Sequence, residues 1–232
     1  MYNCTICNNE QWIIYTDKDG YECVKPCKCQ KIRRSLKLAE ESGLGNLLSI
    51  YTFDNYKTDL EWQKDLKNNA LQYVKEPKNK WFIAFGTSGS GKSHLCTAIC
   101  KELLNQGKEV VFMSWLEESG KLKRHITDND YDTLIDRYKN AEVLYIDDFW
   151  KNENSTEPTS ADIKLANEIL NYRYNKARAT NSLCKTIISS ERLMAQLIDF
   201  DSAIAGRLVE MSKGYLNEIK GAEKNYRLRN FV

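Results

Sequence analysis

Trp-Phe-Ile-Ala-Phe at 81–85 is an unbroken apolar run, the pattern of a strand buried on both faces. Shorter runs of the same kind follow at 109–113, 143–146 and 186–188. Between them the apolar residues are spaced instead of contiguous. Leu95, Ile99 and Leu103 recur every four residues across 93–106 and stop at Gly107, which predicts one face of a helix. Residues 59–75, with Leu60, Leu66, Leu71 and Val74 among polar neighbours, predict an amphipathic helix ahead of the first strand. Strands that alternate with helices predict an α/β fold with a mainly parallel sheet flanked by helices. The polar stretch KNENSTEPTSA at 151–161 predicts a mobile loop, and no internal repeat is present.

The start of the chain breaks this rhythm. Residues 1–30 are rich in cysteine and turn formers, with an aromatic run around Trp12 and Tyr15 and an Asp19-Gly20 turn, and are too few to bury a core unaided. A helix over 31–41 follows, carrying Ile32, Leu36 and Leu38, and is ended by Ser42-Gly43-Leu44-Gly45. These features divide the chain into a small unit with its linker helix at 1–45 and a larger domain at 46–232.

Composition agrees with a folded protein. Of 232 residues, 42% are hydrophobic, 28% are charged and only three are proline, which excludes disordered and fibrous classes. No stretch approaches the roughly 18 to 20 apolar residues of a membrane span, and no signal segment is visible, so the expectation is a cytoplasmic protein without membrane contact. Thirty-four basic and 32 acidic residues leave a net charge of +2, so any contact with nucleic acid must be local.

Candidate chemistry begins directly after the first predicted strand, where 86–93 read GTSGSGKS. Glycines at these spacings let backbone N–H groups close on phosphate oxygens at the positive end of a helix. Gly86, Thr87, Ser88, Gly89, Ser90, Gly91, Lys92 and Ser93, with His94 following, are therefore the expected ATP-binding run. Lys92 would reach the β- and γ-phosphates and Ser93 would ligate Mg²⁺. A second acidic element is needed at the exit of a neighbouring strand, and Val143-Leu144-Tyr145-Ile146-Asp147-Asp148 supplies it. Asp147 is placed on the magnesium and Asp148 on the attacking water. A glycine-rich turn with an accidental lysine and a solvated acidic turn are the bland alternatives; the order strand, glycine loop, helix disfavours both.

Eight cysteines are present and five of them fall within 4–29. Cys4-x-x-Cys7 has the spacing of half a zinc site, with a redox pair or plain reduced thiols as alternatives. Cys96, Cys100 and Cys184 lie in apolar segments and read as small core residues. His94 and His125 lack the spacing of metal ligands and read as structural or solvated.

Taken in order, the C-x-x-C and P-C-x-C pairs, Ser42-Gly43-Leu44, Tyr51-Thr52-Phe53-Asp54-Asn55-Tyr56, GTSGSGKSH, YIDDF, TIISSE and AIAGRLVEM make a chain that resembles the DnaC/DnaI-type replicative helicase loaders, especially bacteriophage-encoded members. These are a branch of the AAA+ P-loop ATPases and of the IstB-like ATP-binding proteins. The resemblance implies an ATP-dependent loader that delivers a DnaB-type replicative helicase to single-stranded DNA when replication initiates. It implies slow, assembly- or DNA-dependent hydrolysis and self-assembly through the ATP site. It implies an N-terminal zinc unit that holds the helicase, with Zn²⁺ on Cys4, Cys7, Cys27 and Cys29 and Cys23 left over. Arg207 matches the position of the arginine that reaches a neighbour's γ-phosphate.

One position departs from the family. Where many members place a phosphate-sensing asparagine, this chain has Ser189-Ser190-Glu191, so the sensing role is assigned to Ser190 and Glu191 is left out of the catalytic set. No C-terminal lid is visible after residue 220, and Arg227 or Arg229 is a candidate second sensor. For DNA, Lys121, Lys123 and Arg124 with Trp115 as a stacking aromatic are the expected contacts. Lys25, Lys28, Lys31, Arg33, Arg34 and Lys37 are reserved for protein contact. The alternatives are a transposition helper ATPase of the IstB kind, which generally lacks the cysteine pairs, and an ATP-switched binding module with negligible turnover.

Overall fold

The computed structural model describes residues 3–152 and 157–228. Strand β3, Trp81–Gly86, is buried along its whole length because both of its faces are covered. Its side chains alternate: Trp81, Ile83 and Phe85 enter one apolar cluster, Phe82 and Ala84 the other. Strands β4 (Val110–Ser114), β5 (Val143–Asp147), β6 (Lys185–Ser190) and β7 (Leu216–Ile219) complete a sheet of order β4-β5-β6-β3-β7. Every pairing in it is parallel. This is the AAA+ P-loop arrangement expected from the sequence, and the apolar runs mark four of its strands to within a few residues. The fifth, β7, was not anticipated: Leu-Asn-Glu-Ile is short, half polar and sits at an edge.

Helices α4 (Lys92–Asn105) and α3 (Glu61–Lys75) pack on one face of the sheet, against Phe82, Val110, Phe112, Val143 and Tyr145. On the other face lie α6 (Tyr131–Asn140), α7 (Ser160–Ala179) and α9 (Ser202–Met211), with α5 (Trp115–Arg124) and α8 (Met194–Phe200) at that side's margin. Arg173 of α7 stitches this layer to the sheet. Fully buried, it donates to the carbonyls of Tyr138, Lys139, Ala141 and Lys185 and, through Nε, to Thr186 Oγ1 at 2.9 Å. Asp162, also buried, caps α7 by accepting from Thr159 and pairs with Lys123 Nζ at 2.6 Å.

At the N-terminal end, β1 (Trp12–Thr16) and β2 (Glu22–Pro26) form an antiparallel hairpin. The helix expected at 31–41 is α1, Cys29–Glu41, and its breaker is followed at once by a further helix, α2, Leu44–Ile50. Gly43 takes φ 82° between them, and a Cβ on Gly45 would run into the Glu40 backbone, so the two glycines make a tight helix corner and not a linker. Ala39, Leu44 and Leu48 join the apolar cluster that holds α4. Among the described residues, no helix is long and apolar enough to cross a membrane.

Candidate nucleotide site and cysteine cluster

The loop between β3 and α4 is shaped by three glycines with φ of 109° (Gly86), 68° (Gly89) and 87° (Gly91). At Gly86 and Gly89 space also demands the missing Cβ, which would overlap the Ile219 carbonyl and the Asn225 side chain respectively. Thr87 N–H donates to Ile219 O at 2.8 Å and Ser90 Oγ to Thr87 O at 2.7 Å, which fixes the loop around the N-terminus of a helix of 14 residues. Lys92 is 6% exposed, and its Nζ donates to Gly86 O at 2.9 Å and Thr87 O at 2.7 Å. Burial holds its pKa below that of an ordinary lysine, while Glu191, Asp148 and Asp147 pull it back up.

Asp147 leaves the end of β5 beside this loop. Its Oδ1 accepts from Ser93 Oγ at 2.9 Å and Tyr145 OH at 2.8 Å, and from the Ser189 hydroxyl. The two expected magnesium ligands are thus adjacent. Asp148 has φ 53°, a left-handed conformation that turns its carboxylate away from the sheet and toward Lys151 Nζ at 3.0 Å. Together these groups face a cleft of about 500 Å³ lined by Ser88 to His94, Asp147 and Asp148.

The rest of the lining lies outside the expected site set, although Arg227 is the candidate second sensor and Glu191 the residue at the family's sensing position. Tyr51, Asn55 and Tyr56 come from the run after α2 and Lys57 from just beyond it, Gln63 from α3, Lys151 and Glu191 from the sheet's exit loops, and Tyr226 and Arg227 from the tail. His94 holds the first wall in place: its Nε2 lies 2.9 Å from Thr52 O and 3.1 Å from Asn55 Oδ1, and its ring stacks on Tyr51 at 4.7 Å. The tail closes the other side, where Tyr226 N–H donates to Gly89 O at 3.0 Å. The aromatic run at 51–56 was one available signal and the family's sensing position, occupied by Glu191, another; Lys151 had none beyond its charge.

Two expectations are corrected. Ser190 is fully buried, donating to Phe149 O at 2.7 Å and accepting from Arg192 N–H at 3.1 Å, so its hydroxyl is spent inside the core; Glu191 is the residue that reaches the cleft. Trp115 is fully buried against Phe149 at 5.0 Å and has no face to offer a base, because the first turn of α5 points into the core. In the same helix Lys121 pairs with Glu118 and Lys123 with Asp162, which leaves Arg124 and Lys121 on the surface. Arg207 lies on α9 outside this chain's own cleft, its guanidinium 5.7 Å from the Tyr174 ring. Arg227 lines the cleft, whereas Arg229 and residues 153–156 of the expected mobile loop lie outside the described residues.

The four cysteines named for zinc come together. Cys4 Sγ is 3.7 Å from Cys27 Sγ, Cys7 Sγ is 3.5 Å from Cys29 Sγ, and all four sulfurs lie within 4.8 Å of one another. A zinc tetrahedron with arms of about 2.3 Å has edges of about 3.8 Å, so the set fits that ion with little adjustment. All four are buried, and Ile13 is the apolar residue packed on them. Backbone N–H donation from Cys7 draws the Cys4 thiol down, whereas burial pushes the Cys29 thiol up. Cys23 stands apart, 3.6 Å from Asp17 Oδ2. Cys96, Cys100 and Cys184 are core residues.

With this geometry established, comparison with known proteins is direct. Residues 28–230 match the family described as IstB-like ATP binding protein. The chain belongs to that family. Among curated relatives of this IstB-like protein, the phage-like element PBSX protein XkdC of Bacillus subtilis (strain 168) is 30% identical over 243 residues, covering 98% of this chain and 86% of the relative. The replicative helicase loader DnaC of Escherichia coli (strain K12) is 27% identical over 202 residues, 81% of this chain and 80% of the relative. In fold, the crystal structure of the DnaC helicase loader superposes with a TM-score of 0.58 at 22% identity, over 75% of this chain and 98% of that one. The resemblance to DnaC-type proteins is therefore borne out. The family match begins at Lys28, so Cys4, Cys7 and Cys27 lie outside it and Cys29 lies within it.

Proposed function

We propose that this protein is an ATP-dependent loader that delivers a DnaB-type replicative helicase to single-stranded DNA. The observation that carries this reading is the presence, in one chain, of a P-loop cleft and a four-sulfur unit that presents an apolar face. In the hairpin register, Trp12 opposes Pro26 and Ile14 opposes Val24, and Trp12, Ile14 and Val24 are 52%, 69% and 62% exposed. Apolar side chains on the face away from the cysteines suit a protein contact. That favours a helicase-holding unit over a transposition helper that lacks one.

ATP with Mg²⁺, when bound, supplies the phosphoryl group whose presence or loss switches the assembly. This chain's residues hold it as follows. Loop N–H groups and Lys92 take the phosphates, Ser93 and Asp147 take the metal, and Asp148 orients water. Arg207, remote from its own cleft, acts on a neighbouring subunit's γ-phosphate, which ties hydrolysis to self-assembly. Zn²⁺ on Cys4, Cys7, Cys27 and Cys29 shapes the hairpin. Single-stranded DNA is met locally, with Arg124 and the Glu118-paired Lys121 as the exposed cations of α5.

The test is competitive. The protein is mixed with a DnaB-type helicase and with an IS21-type transposase in the presence of ATP, and complexes are resolved by size. A helicase complex that is lost in Ile14→Ser is expected; binding to the transposase alone overturns the reading. Lys92→Ala should abolish nucleotide binding. Arg207→Ala should retain binding and lose the rise of hydrolysis with protein concentration.

A further inference from the structure

Residues 147–151 read Asp-Asp-Phe-Trp-Lys, and the backbone there passes twice through the left-handed region, at Asp148 (φ 53°) and Trp150 (φ 59°). Neither residue is a glycine, so the surroundings must impose the conformation. Phe149 and Trp150 do so: both are fully buried, stacked on each other at 4.7 Å, with Trp115 and Phe200 beside them. The result is a reversal closed by Lys151 N–H donating to Asp148 O at 2.9 Å. It returns Lys151 over the cleft, with Nζ 3.0 Å from Asp148 Oδ2 and 3.8 Å from Glu191 Oε1.

Three carboxylates, Asp147, Asp148 and Glu191, therefore face the space next to the P-loop. One can hold a metal, but Glu191 repels any phosphate that enters unless a cation stands between them. Lys92 is deeper in the loop, tied to the Gly86 and Thr87 carbonyls. Lys57 and Arg227 line the same cleft, but Lys151, paired with both Asp148 and Glu191, is the cation placed to intervene. Burial by itself would lower its pKa, and the hydrogen bond to Asp148 with the charges of Asp148, Glu191 and Asp147 more than offsets this, so it stays protonated at neutral pH. Ser88 and Lys151 in turn keep Glu191 ionised.

We propose that Lys151 is a second phosphate-contacting cation, which the terminal phosphate of ATP draws away from Asp148, and that Glu191 is the positioning residue that keeps it over the cleft. A diphosphate lacks the group that competes for Lys151, which then stays on Asp148 and masks it. A triphosphate takes Lys151 and leaves Asp148 free to accept a hydrogen bond from water. The glutamate in the sensing position is thus compensated by a lysine from the neighbouring strand's exit loop. This inference rests on the nucleotide reading above.

The test measures binding of fluorescent ATP and ADP analogues with Mg²⁺ to the full chain, without reference to turnover. Lys151→Ala is expected to weaken ATP by about tenfold or more, the loss of one charge-assisted contact, and ADP by less than about twofold. Lys151→Arg should retain ATP affinity. Adding Glu191→Gln to Lys151→Ala should restore most of the loss, because the uncompensated carboxylate is gone. All three side chains are partly exposed, 41% for Lys151, 39% for Glu191 and 35% for Asp148, so the variants should fold; unchanged thermal unfolding confirms it. Equal weakening of both nucleotides, or none, contradicts the role of Lys151. Failure of Glu191→Gln to restore ATP contradicts the role of Glu191. If the unmodified protein binds neither nucleotide, the reading of the site itself fails, and Lys92→Ala marks that baseline.

Discussion

In the parallel sheet all six residues of β3 are buried, whereas in the β1–β2 hairpin every residue except Ile13 and Cys23 is exposed. Both regions have complete strand pairing. Hydrogen bonds alone contribute little net stability, and a two-stranded hairpin is marginal in water, so pairing cannot explain why both are ordered. The sheet is held by apolar clusters on its two faces. Among the described residues, Ile13 is the one hydrophobic packed on the four sulfurs, so on the proposed reading the hairpin's order depends on the Zn²⁺ those sulfurs would hold. The hairpin leaves Trp12, Ile14 and Val24 exposed, the face proposed above for the helicase contact.

The strongest way to break this contrast is to remove metal. Chelation, or Cys27→Ser, is expected to abolish amide protection throughout β1 and β2 while protection in β3 and β5 persists; loss in both regions together would join what the contrast separates. On the sheet side, Arg173→Ala leaves four backbone carbonyls and the Thr186 hydroxyl without their donor, and should cost about 4 kcal/mol in denaturant unfolding. A cost below about 1 kcal/mol would mean that those carbonyls find other partners.

Lys123→Met probes the second buried charge. Asp162 is completely buried and Lys123 is 27% exposed, so the loss should be about 2 kcal/mol at neutral pH, below that of a fully buried pair. Burial opposes ionisation of Asp162, but Lys123 and Thr159 outweigh it and hold its pKa below 3.8. A group depressed in the folded state stabilises above its unfolded pKa and loses that contribution as pH falls through the folded one. Acid unfolding profiles should therefore lose part of their slope below about pH 4 in the variant. The smallest effect on stability is expected for Ile14→Ser, within about 0.5 kcal/mol, because the side chain touches mainly water. Its effect on helicase binding should nevertheless exceed those of Arg173→Ala and Lys123→Met.

The sequence made the contrast only half visible. Unbroken apolar runs betray strands buried on two faces, and the P-loop announces itself because phosphate geometry demands glycine at set positions. Strand β7 escapes that logic: it is a polar edge whose Asn217 amide donates to Ile83 O at 3.1 Å, a long-range pairing without a local signature. Helix α2 escapes for a different reason, since Gly43 and Gly45 resemble a breaker until Glu40 is seen crossing at Gly45. Trp115 read as a stacking residue because an aromatic beside lysines looks the same whether its ring faces solvent or core. In the cleft, Lys151 is an ordinary charge until the reversal at Asp148 and Trp150 brings it to Glu191.

The measurement that bears most directly on the central claim is transfer of helicase to DNA. A DnaB-type helicase is incubated with closed circular single-stranded DNA, with and without this protein and ATP, and DNA-bound helicase is quantified after sedimentation. The account predicts that helicase is retained on the circles only when protein and ATP are both present, and that Lys92→Ala removes the effect. Helicase retention that is the same without this protein, or that persists with Lys92→Ala, would contradict it.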